Sequence, residues 1–453
     1  MLSQKTKPSS IFFYLLVLFL PTQLGKHFWP NFSYVYGIRV DYLSPTLYFT
    51  DVLIIGLILS WILECSVSTK GFSQVIKSAK SNIIKLLIVF LLFLLIGIYR
   101  SNNPQAGIYG IIKLLEYAFL FSYTVKNFRT MNRLILFSTF ILGVLFESLL
   151  TIAQYINQGS IGGILYFLGE RGFNSQTPGI ANASINGKLF LRPYATFSHP
   201  NVLAGYLFVF MALIVIYAKQ KIFKQQNVII FLSIACGSIA LFLTMSRVTI
   251  LAWSVVVIFF FAYSFWKKTR MVITKKEYLK QVKSKILLLL FFIIILFIFT
   301  FPIGLRFFKF SFSDQAVVQR EILMQDSISM FRQSPIIGVG LNNFLVNLPF
   351  VQKQYGEALF IQPVHNIYLL VLSETGIIGL AIFIYFLWNT YKRLKKNTNV
   401  ELQVLFLLIL FLGFFDHYFF TLQQGQLLIV IIFGLFWSGS KRTIGKKNDN
   451  IKI

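Results

Sequence analysis

Residues 201–218 read Asn-Val-Leu-Ala-Gly-Tyr-Leu-Phe-Val-Phe-Met-Ala-Leu-Ile-Val-Ile-Tyr-Ala, with no charged side chain. As an α-helix rising about 1.5 Å per residue, such a stretch approaches the roughly 30 Å hydrocarbon core of a bilayer, which about 20 mostly apolar residues cross. The basic segment Lys219-Gln-Lys-Ile-Phe-Lys224 follows it, then two more apolar runs, 227–245 and 248–266, parted only by Ser246 and Arg247. Apolar run, basic loop and apolar hairpin is the alternation of a helical protein that crosses a membrane several times. Composition agrees: 56% of the 453 residues are apolar, 17% aromatic and only 13% charged, and the mean hydropathy is +0.72. A soluble domain carries about 25% charged residues, so these charges are too few to cover water-exposed domains. The 51 phenylalanines stand in long apolar runs, without the alternation of a membrane β-barrel. Cys65 and Cys236 lie in or beside such runs, which leaves no disulfide framework and no cysteine metal site.

The same reading over the whole chain gives about twelve spans: 11–24, 47–65, 83–98, 107–125, 134–156, 201–218, 227–245, 248–266, 286–304, 366–388, 402–416 and 427–438. The first resembles a signal peptide in having Lys5 and Lys7 ahead of it, but no small-residue cleavage site follows, and it is read as a span. With the N-terminus in the cytoplasm, the inside segments hold 29 of the 42 lysines and arginines. That excess is what the positive-inside rule requires. The expectation is therefore an all-α, polytopic membrane protein, 1–453 forming one membrane domain, with both termini cytoplasmic and a basic tail over 439–453. The net charge of +27 then belongs mostly to loops facing anionic headgroups, and nucleic acid is not an expected partner.

Two outside connections are long, 157–200 and 305–365, and long loops in compact proteins tend to carry function. In the second, Val317, Met324, Ile328 and Phe331 recur on one helical face, a pattern for a short amphipathic helix lying on the membrane or the bundle, with Arg320 on its flank. Pro335 ends that helix and Gly338-Val-Gly340 makes a turn. All four histidines, His27, His199, His365 and His417, fall at or beyond the expected outer boundary, near Arg192, Arg247 and Arg320. Arginine grips phosphate through a planar fork of parallel donors, so arginines converging on one face point to a diphosphate or polyanionic ligand. The bland alternative for Arg247 is a side chain reaching the headgroups from a helix end. His365 is the candidate general base, with helix capping as its structural alternative, while His199 and Asn201 suit the entry to the 201–218 span, with Asn201 as its cap. Glu170, Glu321, Asp326 and Glu357 compete for the base role without motif spacing, and an ion pair with Arg320 is the simpler account of Glu321. Lys113 and Glu116, one turn apart inside a span, are expected to pair. Trp29, Tyr34, Tyr36, Tyr42 and Tyr48 suit an interfacial aromatic belt.

At Arg192-Pro-Tyr-Ala-Thr-Phe-Ser-His-Pro-Asn-Val-Leu-Ala-Gly-Tyr206 the chain resembles the O-antigen ligase and polymerase family of bacterial polysaccharide membrane proteins. Three further segments fit that family in order: Thr244-Met-Ser-Arg247; Arg320 followed by Pro335-Ile-Ile-Gly-Val-Gly-Leu-Asn-Asn-Phe344; and His365-Asn-Ile-Tyr-Leu with Glu374-Thr-Gly-Ile-Ile-Gly-Leu380. The resemblance makes 201–388 the family core and implies an architecture similar to multi-span (GT-C-like) glycosyltransferases. It also implies transfer or polymerisation of a polyprenyl-diphosphate-linked glycan, onto a glycan, lipid or protein acceptor, on the outer face of the cytoplasmic membrane. By motif it carries Arg320 and His365 over as catalytic residues, and Arg247, Arg192, His199, Asn201 and Asn366 as substrate-binding ones, with no metal and no cofactor. Tyr194-Ala195 and Val248-Thr249 depart from the family's small residues, which blurs the subfamily more than the chemistry. The competing class is a transporter or flippase for a lipid-linked glycan, which the expected topology also suits. It predicts related halves and mid-membrane polar breaks, whereas the polar signal here gathers in external loops. A receptor or scaffold would show no dependence on His365.

Overall fold

The computed structural model describes residues 7–66, 82–185, 187–218, 227–269, 315–352, 360–397 and 399–438. Its helices are α1 Pro8–Leu18, α2 Phe49–Ser66, α3 Asn82–Tyr99, α4 Pro104–Asn127, α5 Arg133–Asn157, α6 Pro200–Tyr217 and α7 Asn227–Leu243. They continue with α8 Arg247–Thr269, α9 Gln315–Gln333, α10 Phe344–Val351, α11 Ile367–Lys396, α12 Val400–Leu412, α13 Tyr418–Thr421 and α14 Gln423–Trp437. Five of them, α2, α4, α5, α6 and α11, are long and apolar enough to cross a membrane, and six shorter apolar helices fall on other expected spans. The chain is an integral membrane protein. The expected span 286–304, Glu357 and the 439–453 tail lie outside the described residues.

The charge-free stretch 201–218 is the centre of the bundle. Every residue of α6 from Val202 to Ile214 is buried, which is what an all-round apolar helix requires, and α5, α7, α8, α12 and α14 pack around it. Pro200 stands at its first turn, where a missing N–H costs nothing. Asparagines open four other helices: the Asn103, Asn132, Asn366 and Asn399 side chains each accept from a backbone N–H one turn in. Between α2 and α4, the expected Lys113–Glu116 pair forms at 3.0 Å and gains Asp51 at 2.8 Å from the Lys113 amine.

Connections at one end of the bundle form a second packed layer. Three antiparallel strand pairs stand there among the described residues: β1 Gly25–His27 pairs with β4 Thr46–Tyr48, β2 Tyr34–Val35 with β3 Ile38–Arg39, and β5 Asn182–Ile185 with β6 Lys188–Leu191. Val35, Val40 and Leu43 share a buried cluster with Leu323 and Met330 of α9, Phe344, Leu345 and Leu348 of α10, and Val364 and Leu370. Three expectations are corrected here. Helix α1 stops at Leu18, ahead of Pro21, rather than running to 24. Helix α11 runs to Lys396, past 388, and is broken at Gly376. The face of α9 that packs on the protein carries Leu323, Ser327 and Met330, whereas Met324 and Ile328 of the expected stripe stay exposed, so this helix offers apolar side chains on two sides.

Candidate active site

Four segments distant in sequence meet at the loop-rich end: the entries to α6 and α11, the turn between α12 and α13, and the 25–48 loop. At the entry to α6, His199 rather than Asn201 is the cap, its Nδ1 accepting the Asn201 backbone N–H at 3.1 Å. The Asn201 side chain is free for another task and forms a bridge. Its oxygen accepts from Arg192 Nη2 at 2.6 Å, and its Nδ2 donates to Asp416 Oδ2 at 2.7 Å. Arg192 Nε also donates to the Thr244 carbonyl at 2.8 Å, which ties this corner to the α7–α8 hairpin.

Asp416 uses its other oxygen to accept the His417 backbone N–H at 2.8 Å. The buried His417 ring sets Nδ1 2.6 Å from the Thr421 hydroxyl, which itself donates to the His417 carbonyl. His365 meets His417 edge-to-face at 4.8 Å, and Tyr42 meets the same ring at 5.6 Å. At the entry to α11 the capping is done by Asn366, whose oxygen accepts from Tyr368 at 2.9 Å and Leu369 at 3.0 Å. His365 is thereby released from the capping role held as its alternative. Its Nδ1 is buried without a hydrogen-bond partner among the described residues, and such an orphan in a native structure calls for a reason.

His365 also lines the adjoining cavity, about 430 Å³, together with Arg320, Met324, Asn366, Phe411, Phe414 and Phe415. Burial holds His199 and His417 each down at about 3; Arg192 pushes His199 the same way, and Asp416 opposes both shifts. Burial also lowers His365, with Asp416 working against it and Arg320 with it. Burial works to raise the Asp416 carboxyl, but His417, His365, His199 and Arg320 outweigh it and hold it at about 2. At neutral pH Asp416 is thus an anion and His199 and His417 are neutral, beside the Arg320 guanidinium. His365, Asp416 and His417 also bring one ligand atom each within 4.8 Å of one another, close enough to share a cation. Both Asp416 oxygens and His417 Nδ1 are already hydrogen-bonded, which fits a proton relay at least as well.

Of the residues expected from sequence, Arg320, His365 and Asn366 come together on the cavity, with Arg192, His199 and Asn201 supporting Asp416 behind it. Arg247 opens α8 beside the Thr244 turn, half-buried and away from the cavity lining. His27 stands apart, bonded to Ser44 and Thr46 and stacked on Trp29. Among the competing carboxylates, Glu170 is spent on the backbone of Ile161 and Gly162 and on Gln154. Glu321 is exposed and meets Gln325 rather than pairing with Arg320. Asp326 lies buried on the packed side of α9, its carboxyl pushed up to about 6 by burial. Sequence reasoning passed over Asp416, although Asp416-His417 interrupts two apolar runs, and it assigned Tyr42 to the interfacial belt.

The structure defines an integral membrane protein with a histidine–aspartate–arginine site where its helices meet a packed loop layer. Residues 232–384 match the family model described as O-antigen ligase, which supports an O-antigen ligase family assignment. The match supports a glycan-transferring enzyme of polysaccharide biosynthesis in general, with a lipid-linked glycan and an acceptor as its general partners. The matched segment contains Arg247, Arg320 and His365; Arg192, His199, Asn201 and Asp416 lie beyond it. No curated protein matches the chain.

Proposed function

We propose that this protein is a glycosyltransferase that transfers or polymerises a glycan carried on polyprenyl diphosphate, at the outer face of the bacterial cytoplasmic membrane. The observation that carries the reading is one cavity lined by Arg320, His365 and three phenylalanines. A polyprenyl diphosphate joins an anionic head to an apolar tail, and this cavity offers a guanidinium and an imidazole beside Phe411, Phe414 and Phe415. In the proposed step the acceptor hydroxyl oxygen attacks the anomeric carbon. The bond from that carbon to the diphosphate oxygen breaks, the diphosphate leaves on its lipid, and the hydroxyl proton passes to the His365 imidazole. Arg320 stabilises charge as it develops on the leaving group. Asp416, which raises the proton affinity of His365, stabilises the imidazolium formed.

The proposal includes a multi-span (GT-C-like) architecture of about twelve spans with both termini cytoplasmic, supported by the basic residues of the inside loops. The test is purified protein in lipid nanodiscs with a polyprenyl-diphosphate oligosaccharide, followed by gel and mass spectrometry. A ladder of lengthening lipid-linked chains identifies a polymerase, and a single step onto an added acceptor identifies a ligase. A donor left untouched across a panel of glycans and acceptors overturns the reading in favour of transport.

A further inference from the structure

We propose that Glu374 is a positioning residue for this transfer: from inside α11 it sets the helix that carries Arg320 against His365. The inference rests on the roles given to those two residues above. Helix α9 ends at Gln333 and runs into a segment, 334–343, that wedges into the bundle. A β-carbon on Gly340 would press on Ser101, and one on Gly338 would overlap the peptide joining Glu374 to Thr375. Helix α11 breaks to receive this segment. Gly376 adopts φ 63 and ψ −166, a conformation essentially reserved for glycine, and a β-carbon there would overlap the Ile336 carbonyl.

Broken helix inside a membrane strands backbone polar groups unless protein pairs them. Here the wedge pairs them in both directions. Val339 N–H donates to the Ser373 carbonyl at 2.9 Å and Gly340 N–H to that of Glu374 at 3.0 Å. In return, Ile377 N–H donates to Pro335 at 2.9 Å and Ile378 N–H to Ile336 at 3.4 Å. The Glu374 side chain closes the lock: Oε2 accepts from Asn342 N–H at 3.0 Å and Oε1 from Phe344 N–H at 3.1 Å. Asn343, at the cap position of α10, makes no side-chain capping bond, so Glu374 caps that helix from another one. Higher up, the Ser327 hydroxyl donates to the Leu369 carbonyl at 3.1 Å, which holds α9 alongside α11.

The consequence for chemistry is leverage. From Gln333 back to Arg320 the chain is one continuous helix, about 20 Å long at about 1.5 Å per residue. A tilt of about 3° at its base moves the guanidinium by about 1 Å, and misplacement on that scale costs on the order of 10²-fold in rate. The Glu374 carboxylate is bonded to the backbone of Asn342 and Phe344 and is not part of the cavity lining, so its effect on rate runs through Arg320.

The experiment compares Glu374→Ala and Glu374→Gln in full-length protein in nanodiscs, with kcat and KM for a lipid-linked donor measured per folded enzyme. Glu374→Ala is expected to lower kcat about tenfold or more while KM for the donor moves less than about twofold. Glu374→Gln, whose amide oxygen still accepts one of the two N–H bonds, regains most of kcat. Spin labels at exposed Gln325 and Tyr385 are expected to give a narrow distance distribution in the native protein and the Gln variant, and a broad one in the Ala variant. Where Glu374→Ala does not fold, Glu374→Asp takes its place, because it keeps the charge but is one methylene short, and the same loss of kcat is expected. An unchanged kcat, or equal losses in all variants with narrow distances, overturns the inference. Activity retained by Arg320→Ala and His365→Ala overturns the underlying site reading instead, whatever Glu374 does.

Discussion

Two segments enter the bundle from the loop-rich end, 192–201 and 334–343, and they are held there by different means. The first is gripped by side chains. Glu147 of α5 accepts the Thr196 hydroxyl at 2.9 Å and backbone N–H at 3.2 Å. Gln154 accepts the Tyr194 and Ala195 N–H groups at 3.0 and 2.7 Å, and Gln424 of α14 accepts the Ser198 hydroxyl at 3.0 Å. The second is gripped by main chain at the break around Gly376, by the single carboxylate of Glu374, and by its own Asn342 and Asn343 side chains on Ala106 and Asn103. Side-chain grips spread their load, so losing one leaves the others in place. A main-chain grip depends on close approach of backbones and tolerates no β-carbon between them. The difference matches what each segment presents. The first brings residues that support Asp416 at short range, while the second aims a residue far along a helix.

The largest expected effect tests whether the two histidines differ as their settings do. His365→Ala should lower kcat by roughly 10²–10⁴-fold, the range for loss of a general base, whereas His199→Asn keeps a capping acceptor and should cost less than about tenfold. Equal losses in steady-state transfer assays would erase the distinction between chemical and supporting histidine. Next, Asp416→Asn should lower kcat by roughly 10²-fold, as expected for loss of a preorganised charge. The direction with pH follows from the sign of the shift. Asp416 raises His365 against burial, so its loss lowers that pKa and moves the acid limb of the pH–rate profile to lower pH. The native limb itself should fall below the ordinary histidine value of about 6.5, because His365 is lowered overall.

Two glycines with positive φ sharpen the contrast of grips. Gly376 faces the Ile336 carbonyl, while Gly179, φ 78, in the first long loop has nothing near its missing β-carbon. Alanine at Gly179 should cost only the left-handed strain of about 1–2 kcal/mol. Alanine at Gly376 adds backbone overlap and should lose about 3 kcal/mol or more, read as thermal unfolding in nanodiscs. The smallest effect expected is from a chelator, less than about twofold on rate. Strong inhibition reversed by one divalent ion would reassign His365, Asp416 and His417 as its ligands.

Much of the helical bundle could be read from sequence because apolar length is a local property. The 201–218 run needed no context to be recognised as membrane helix, though its central place shows only in the structure. Arg320 and His365 were legible through ordered motifs. Asp416 was not, because its partners Asn201 and His365 are brought to it only by folding. The available signal was an ionisable pair, Asp416-His417, at an apolar boundary, and Glu147 within the 134–156 run carried the same kind of signal. The Glu374 motif was visible as glycines and a carboxylate, but the meaning of its spacing depends on a wedge from another segment. Tyr42 was read with its aromatic neighbours, since nothing local separates a ring at the headgroups from one against His417.

The break at Gly376 also bears on how the chain is made. During synthesis from the N-terminus, Pro335 and Ile336 emerge before Ile377 and Ile378, whose N–H groups they accept. When α11 enters the membrane, its acceptors already exist and lie on the preceding segment. A chain rearranged so that 373–378 came first would have to hold open peptide groups in lipid while waiting for their partners, at a cost of several kcal/mol for each. Sequence order here is an assembly instruction: the wedge is delivered first and the span closes over it.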